Sequence, residues 1–449
     1  MHHSVPTGID LSGTPQQIAA QRHKFIIKLA FLISGGMFID GFVLGGMGTV
    51  MPAITKDLSL TLFEQGLIGA SALIGIFLGG PLGGYLADKV GRKPMFTIDL
   101  ATFLVGSVLQ FVVTDAWQLF TVRVIMGMAI GADYAIGWPL LAEFAPARVR
   151  GKLLSVQEVG WYIGFLLAYT IGWAFTIYDI AGWNVILGLS TVPTIIVLLM
   201  RLGTPESPRW LISVGRRDEA LALAAQYMEE DEQADLRHQG ENKAGGFAPL
   251  FSAQHLRSTL FVSIFWVCCV TPYFAIGTFA PVVLEHLGLQ DGLTGGLALN
   301  FLALLGVFFT TATVERLGRR KLAIAALVIS TISLAVVAAT PTTAVIVIVA
   351  GVLIFAFANA IGNCLTGVYP AEVFPTEVRG TGVGFATAIS RIGAAAGTFF
   401  LPTAMEKLGI SGTMYVAAGI SLFGAVVTVM LAPETAGRLL GQTAKGAEN

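Results

Sequence analysis

Charge is scarce in this sequence. Of 449 residues, 12% are Asp, Glu, Lys or Arg, about half the roughly 25% that a soluble chain carries. So few charges cannot coat the two or three soluble domains that this length would otherwise suggest. The signs nearly cancel, with 27 Lys and Arg against 28 Asp and Glu, so no basic field points to nucleic acid. Cysteine is scarcer still. Cys268, Cys269 and Cys364 all lie in apolar runs without C-x-x-C spacing, which excludes a disulfide framework. No Gly-x4-Gly-Lys-Ser/Thr run is present, so primary nucleotide-driven pumping by this chain is not expected. His/Glu metal spacing and a Gly-x-Ser-x-Gly elbow are also missing, which argues against membrane hydrolysis. The reading is a non-enzyme with no catalytic residues, no metal and no cofactor. The polar stretch before His23 lacks a short apolar core with a small-residue cleavage site, so no signal peptide is expected. The first apolar span serves as its own insertion signal.

Apolar residues make up 55% of the chain, and mean hydropathy is +0.75. Stretches near 20 apolar residues read as membrane-crossing helices. Twelve are predicted: 25–53, 64–86, 95–114, 117–142, 152–176, 182–201, 258–284, 293–314, 321–340, 343–369, 381–404 and 411–431. Positive charge orients them. With the N-terminus inside, the outward connections hold only Lys56 and Lys407, and Arg123 and Arg391 fall within spans. The other 23 of the 27 lie on the opposite side. Both termini are therefore expected in the cytoplasm, in a multi-pass protein of the cell membrane, as in a bacterial inner membrane. The chain divides into a cytoplasmic tail (1–24), a six-helix bundle (25–202), a cytoplasmic loop (203–257), a second six-helix bundle (258–432) and a C-terminal tail (433–449). Amphipathic spacing over Asp218–Met228 predicts a helix on the cytoplasmic face, followed by a flexible linker around Gly240–Gly246.

The halves repeat. Gly84-Tyr-Leu-Ala-Asp88-Lys-Val-Gly91-Arg92-Lys93 follows span two, and Thr313-Val-Glu315-Arg-Leu-Gly318-Arg319-Arg320-Lys321 follows span eight. Glu143-Phe-Ala-Pro146-Ala-Arg-Val-Arg150-Gly151 answers to Glu372-Val-Phe-Pro375-Thr-Glu-Val-Arg379-Gly380, and Pro205-Glu206-Ser207 to Pro433-Glu434-Thr435. Three motif pairs at one spacing define two six-helix bundles of the same topology. Parallel repeats of this kind are the layout of alternating-access carriers, with substrate near the midplane between the halves.

With these motifs the chain resembles the major facilitator superfamily, over essentially all twelve spans. Pro205-Glu206-Ser207-Pro208-Arg209-Trp210-Leu211 and Pro433-Glu434-Thr435 look like the sugar-porter branch and its organic-ion and metabolite–proton relatives. The resemblance implies an all-α membrane fold of twelve helices in two pseudo-repeats, a small-molecule substrate, protons and the lipid bilayer as partners, and a monomer. It also implies that Asp88, Arg92, Glu143, Arg150, Glu315, Arg319, Glu372 and Arg379 form gating ion pairs that switch conformation without touching substrate.

A charge at the bilayer centre costs about 2.5–3.5 kcal/mol on insertion scales, so each one inside a span needs a reason. Those here are Asp40, Arg123, Asp133, Glu158 and Arg391, while Asp99 is placed within reach of headgroup water. No histidine lies inside a span, so a transported proton must ride on a carboxylate. Asp40 lies mid-span, one turn before the position where sugar porters place their span-one Asp, here Val43. Asp133, in Gly131-Ala-Asp133-Tyr134, resembles a run in proton–phosphate symporters, although span seven lacks the acid that those use. Asp40, Asp133 and Arg123 are assigned to proton coupling. For Arg123 an ion pair with Asp40 and a structural role stand side by side.

Glu158, Tyr162 and Tyr169 share one helix face, and sugar porters place a sugar-contacting Gln at about this point, where Glu158 aligns with Gln157 beside it. Organic-anion carriers of the related branch carry a cavity Arg in span eleven, matching Arg391. A guanidinium grips a carboxylate bidentately and stays charged. Candidate substrate contacts are Arg391, Glu158, Gln157, Trp161, Tyr162, Tyr273, Asn300, Asn359 and Asn363. Span seven carries aromatics, cysteines and Pro272 where sugar porters have glutamines. The expected function is proton-coupled symport of a small organic acid, with aromatic carboxylates among the candidates. A sugar or polyol symporter and a phosphate-like anion symporter are the alternatives.

Overall fold

The computed structural model describes residues 14–201, 204–237, 246–278, 292–341 and 344–445. Its elements are helical. In the first half these are α1 (Pro15–Gly45), α2 (Met47–Asp57), α3 (Leu62–Val90), α4 (Arg92–Leu109), α5 (Ala116–Phe144), α6 (Arg150–Ile177), α7 (Trp183–Gly188) and α8 (Thr191–Arg201). The connecting loop carries α9 (Pro208–Ser213), α10 (Arg217–Tyr227) and α11 (Glu230–Arg237). The second half holds α12 (Leu256–Thr278), α13 (Gly292–Leu317), α14 (Arg319–Ala339), α15 (Val345–Val373) and α16 (Arg379–Leu431), followed by α17 (Leu440–Lys445).

Ten helices among the described residues are long and apolar enough to cross a membrane. α4 and α6 complete the twelve passes. At 18 and 28 residues and 1.5 Å per residue they have the length. Their apolarity is diluted by Arg92, Lys93 and Asp99 in α4, and by Arg150, Lys152, Gln157 and Glu158 in α6.

Several boundaries differ in informative ways. Span one starts earlier, because Thr14 and Gln17 form a reciprocal capping box that begins α1 inside the expected tail, and it breaks at Gly46 into α1 and α2. Span six is split into α7 and α8. Spans eleven and twelve run as one 53-residue element bent at Gly409, whose φ of +69° turns the chain. The loop has a second helix, α11, beyond the expected one. The outer end of span seven and the linker at 240–245 lie outside the described residues. Asp99 does not reach headgroup water: it is 3% exposed, inside the first bundle.

The pseudo-repeat is visible atom by atom. Gly91 and Gly318, both at positive φ (+116° and +83°), end α3 and α13. Glu206 accepts from the backbone N–H of Arg92 and Lys93, and Glu434 from that of Arg319 and Arg320. Arg150 donates to the Ala145 carbonyl just as Arg379 donates to that of Phe374. Burial pushes the Glu206 carboxyl above the ordinary glutamate range, opposed by the N–H groups of Ser207, Lys93 and Arg92.

The core divides in a way that sets the conformation. One cluster spans both halves at mid-depth and toward the loop. At the opposite end the described residues form two separate cores. One is drawn from the first half (Val50, Ile54, Leu119, Trp183) and one from the second (Leu334, Val352, Leu401, Met414). The shared cluster thus joins the halves at mid-depth and the loop face, while toward the far face the described residues keep separate cores, the halves meeting where Tyr169 of α6 abuts Gly296 of α13.

Labelling tests the orientation of that face. In a background lacking Cys268, Cys269 and Cys364, cysteines at exposed Tyr178 and Lys407 should react with an impermeant thiol reagent added outside intact cells. One at exposed Asp218 should react only after permeabilisation. Reaction of the Asp218 variant in intact cells would reverse the assignment.

Candidate functional site

Five helices converge where the core forks. α5 brings Tyr134 and Trp138, α6 brings Glu158, Trp161 and Tyr162, and α12 brings Trp266, Val270, Tyr273 and Phe274. α15 adds Asn363 and Thr366, and α16 adds Arg391. Together they enclose about 40 Å³, room for a few waters. The cavity is therefore contracted around its polar groups.

Arg391 organises it. The residue is 5% exposed, and its guanidinium carbon lies 5.5 Å from the Phe274 ring centroid and 5.8 Å from that of Tyr134. Its Nε has no hydrogen-bond partner among the described residues. Glu158 and Asp40 are the carboxylates close enough to act on it electrostatically. Trp161 Nε1 donates to the Tyr134 hydroxyl at 3.0 Å, which fixes the ring beneath the guanidinium. Asn359 donates to the Cys269 carbonyl at 3.0 Å and accepts from Asn363 at 2.8 Å. That chain pins the Asn363 amide and leaves its Oδ1 unpartnered among the described residues. Trp138 and Trp266 pack edge to face with centroids 5.8 Å apart, and Trp138 presses on Gly367 of the other half. They floor the cavity on the loop side.

Of the nine expected substrate contacts, Arg391, Glu158, Trp161, Tyr162, Tyr273 and Asn363 line this cavity. Gln157, Asn300 and Asn359 do not. Neighbouring helix positions are about 100° apart, so Gln157 cannot share Glu158's face and lies buried near Gly137 of α5. Asn300 bonds back to Gly296 of its own helix, and Asn359 holds Asn363. Asp40 and Asp133 are both fully buried outside the lining, Asp40 beside the charges of the cavity and Asp133 one position off Tyr134. Arg123 stands eleven residues, about 16 Å, along α5 from Tyr134. Its Nε and Nη1 are without a partner among the described residues. Tyr134, Trp138, Trp266, Val270, Phe274 and Thr366 also line the cavity and are not among the expected contacts. The signal was present as aromatic positions at helical spacing, Tyr134/Trp138 and Trp266/Tyr273, with the aliphatic Val270 between the latter two.

Below the floor, two charge networks close the loop face. Arg92 meets Asp88 at 2.6 Å and Glu143 at 3.3 Å, and Arg379 of the other half meets Glu143 at 2.8 Å. Asp88 also accepts from the backbone N–H of Gly380 and Thr381, at 3.2 and 2.7 Å. An acid of the first half thus sits on the N-terminus of α16, where the helix dipole favours it. The counterpart is symmetric. Arg319 pairs with Glu315 and Glu372, and Glu315 accepts from the Lys152 N–H in the first turn of α6 at 2.9 Å. Seven of the eight expected gate residues interlock in these two networks. Arg150 instead meets Glu232 of loop helix α11 at 2.8 Å and donates to the Arg438 carbonyl.

Glycines let this closure happen. A Cβ at Gly84 would lie 2.2 Å from the Gly380 carbonyl oxygen, and one at Gly384 2.0 Å from that of Gly80, so only glycine allows α3 and α16 to approach this closely. Gly84→Leu should force the seam apart. Hydrogen exchange at the Gly380 and Thr381 amides should then accelerate at least tenfold, and Asp88→Asn should act in the same direction. Unchanged exchange in both variants would show that the seam does not hold the face shut.

Comparison with known proteins places this architecture. The profile described as "Sugar (and other) transporter" matches residues 29–445. The Inner membrane metabolite transport protein YgcS of Escherichia coli is 37% identical over 92% of each chain. The Niacin transporter NiaP of Acinetobacter baylyi is 28% identical, covering 93% of this chain and 96% of its own. Among solved structures, the proton:xylose symporter XylE bound to 6-bromo-6-deoxy-D-glucose superimposes with a TM-score of 0.81 at 20% identity, covering 94% of this chain and 99% of that one. The chain is a multi-pass membrane transporter, not an enzyme, and it belongs to the sugar (and other) transporter family of the major facilitator superfamily.

Proposed function

We propose that this transporter couples protons to the symport of a small organic acid, with the gated loop face and both termini in the cytoplasm of a bacterial cell and the proton gradient as its energy source. Arg391 is the observation that carries the reading. A guanidinium in the cavity between the halves, bedded on two aromatic rings and without a bidentate carboxylate partner among the described residues, suits a substrate carboxylate. The aromatic walls suit a flat or partly apolar body behind it.

Charge balance links substrate to proton. With Asp40 and Glu158 ionised, the cluster around Arg391 carries one net negative charge, and an acid anion would make it two. Uncompensated charge in this interior costs several kcal/mol per ion. The anion is therefore taken up together with a proton on one of these carboxylates. Asp133 stays a candidate for a second proton, set back from the cavity. The name of NiaP, a niacin transporter, is in keeping with an aromatic acid.

A sugar or polyol is the second reading. It is favoured by the neutral groups in the lining, Asn363, Thr366 and the tyrosine hydroxyls, and by XylE's xylose. A thermal-shift comparison of purified protein with aromatic acids, aliphatic acids, their amides and polyols separates the two, since a bound ligand raises apparent stability. Acids should stabilise and their amides should not. Stabilisation by polyols alone would displace the acid reading.

A further inference from the structure

A second cavity, of about 270 Å³, opens at the loop face on the second half. Three arginines from different segments line it: Arg257 in the first turn of α12, Arg320 in the first turn of α14, and Arg438 in the strand of chain leading to α17. Their setting differs from that of seven other arginines on this face. Arg92, Arg148, Arg150, Arg209, Arg216, Arg319 and Arg379 each meet a carboxylate at 3.3 Å or less. Arg257 and Arg320 instead donate to backbone carbonyls in the last turn of α16, Met430 at 3.3 Å and Val429 at 2.7 Å. The described residues give none of the three an ion pair.

The one carboxylate in the lining, Glu434, is engaged elsewhere. It accepts from the backbone N–H groups of Arg319, Arg320, Thr435 and Ala436. Three arginines and one carboxylate thus line the cavity, an excess of two positive charges, with Ser258 and Thr443 in the same lining. The rim is apolar on the side that faces the bilayer. Met430 is 67% exposed, and Leu256 and Leu260 next to Arg257 are 38% and 46% exposed. A ligand filling this place needs a phosphate-like head for the arginines and an apolar body for the rim.

We propose that this cavity binds the phosphate of an anionic phospholipid from the cytoplasmic leaflet. From the proposed function it takes only the orientation of the chain. The site also reaches the gate. Arg438, on its wall, gives its backbone carbonyl to Arg150 of the first half at 2.9 Å, and Thr443 donates to the Glu372 carbonyl. A headgroup held by Arg438 therefore steadies the segment that ties the two halves together, and the bound lipid favours the closed loop face.

Native mass spectrometry of the delipidated full-length protein in nonionic detergent tests this independently of orientation and substrate. Phosphatidylglycerol, phosphatidylcholine and inorganic phosphate are titrated separately. The first phosphatidylglycerol should bind at least tenfold more tightly than phosphatidylcholine. The combined Arg257→Gln, Arg320→Gln and Arg438→Gln variant should lose that preference, and a control removing the same charge at Arg148, Arg216 and Arg316 should keep it. Arg438→Gln alone, at an exposed side chain, should weaken binding about threefold and covers the event that the triple variant does not fold. Equal binding of the two lipids, or a preference untouched in both variants, overturns the proposal. So does tight binding of inorganic phosphate with no lipid preference, which would assign the arginines to a soluble phosphate.

Discussion

Arg391→Ala is expected to abolish measurable binding of the acid substrate. Truncating one partner of a buried, hydrogen-bonded charge pair costs about 2–5 kcal/mol, a loss of affinity of roughly 30-fold at the least. Arg391→Lys keeps the charge but gives up the planar fork and the stacking on Tyr134 and Phe274, so affinity should fall about tenfold, or about 1.4 kcal/mol. A neutral amide analogue supplies the control. Wild type should bind the amide poorly, and Arg391→Ala should barely distinguish amide from acid. The cavity helps to isolate the effect, because Tyr134 is also held by Trp161 and keeps its place when the guanidinium is removed. Equal binding of acid and amide by wild type would make Arg391 a structural ion and move the sugar reading ahead.

Glu158→Gln should separate transport from its energy source. In proteoliposomes with an imposed proton gradient, wild type should accumulate substrate. The variant should equilibrate it to a ratio of about 1 while still exchanging labelled for unlabelled substrate. The sign with pH follows from linkage. If one proton binds with each anion, affinity falls about tenfold per pH unit as pH rises, and Glu158→Gln should flatten that slope. Asp40→Asn should act alike, since Asp40 belongs to the same charge cluster. Asp133→Asn should retain the accumulation driven by the first proton, because Asp133, unlike Asp40, is not among the carboxylates that act on Arg391. Accumulation that survives in both Glu158→Gln and Asp40→Asn would place the coupling proton elsewhere.

Much of this molecule was determined locally. Span lengths, the charge asymmetry and the paired motifs at Asp88/Glu315, Glu143/Glu372 and Glu206/Glu434 follow from hydropathy and repetition, which need no knowledge of what lies opposite. For the same reason they defined the helices but not the partners. That Asp88 caps a helix of the other half, and that Arg150 turns to Glu232 in the loop, depends on how two bundles meet. Residues 82 positions apart carry no mutual periodicity.

The site divides along the same line. Arg391 and Glu158 stood out because a charge inside an apolar span is costly wherever it points. Gln157 and Glu158 could not be told apart by composition, since one helical step of about 100° decides which faces the cavity, and that rotation is set by packing against neighbouring helices. Asn359 and Asn363 divide in the same way, one holding and the other presented. The sequence by itself determined which residues cannot rest unpaired in a membrane. The tertiary structure decided which of them meet, because burial is a property of one chain segment and pairing is a property of two.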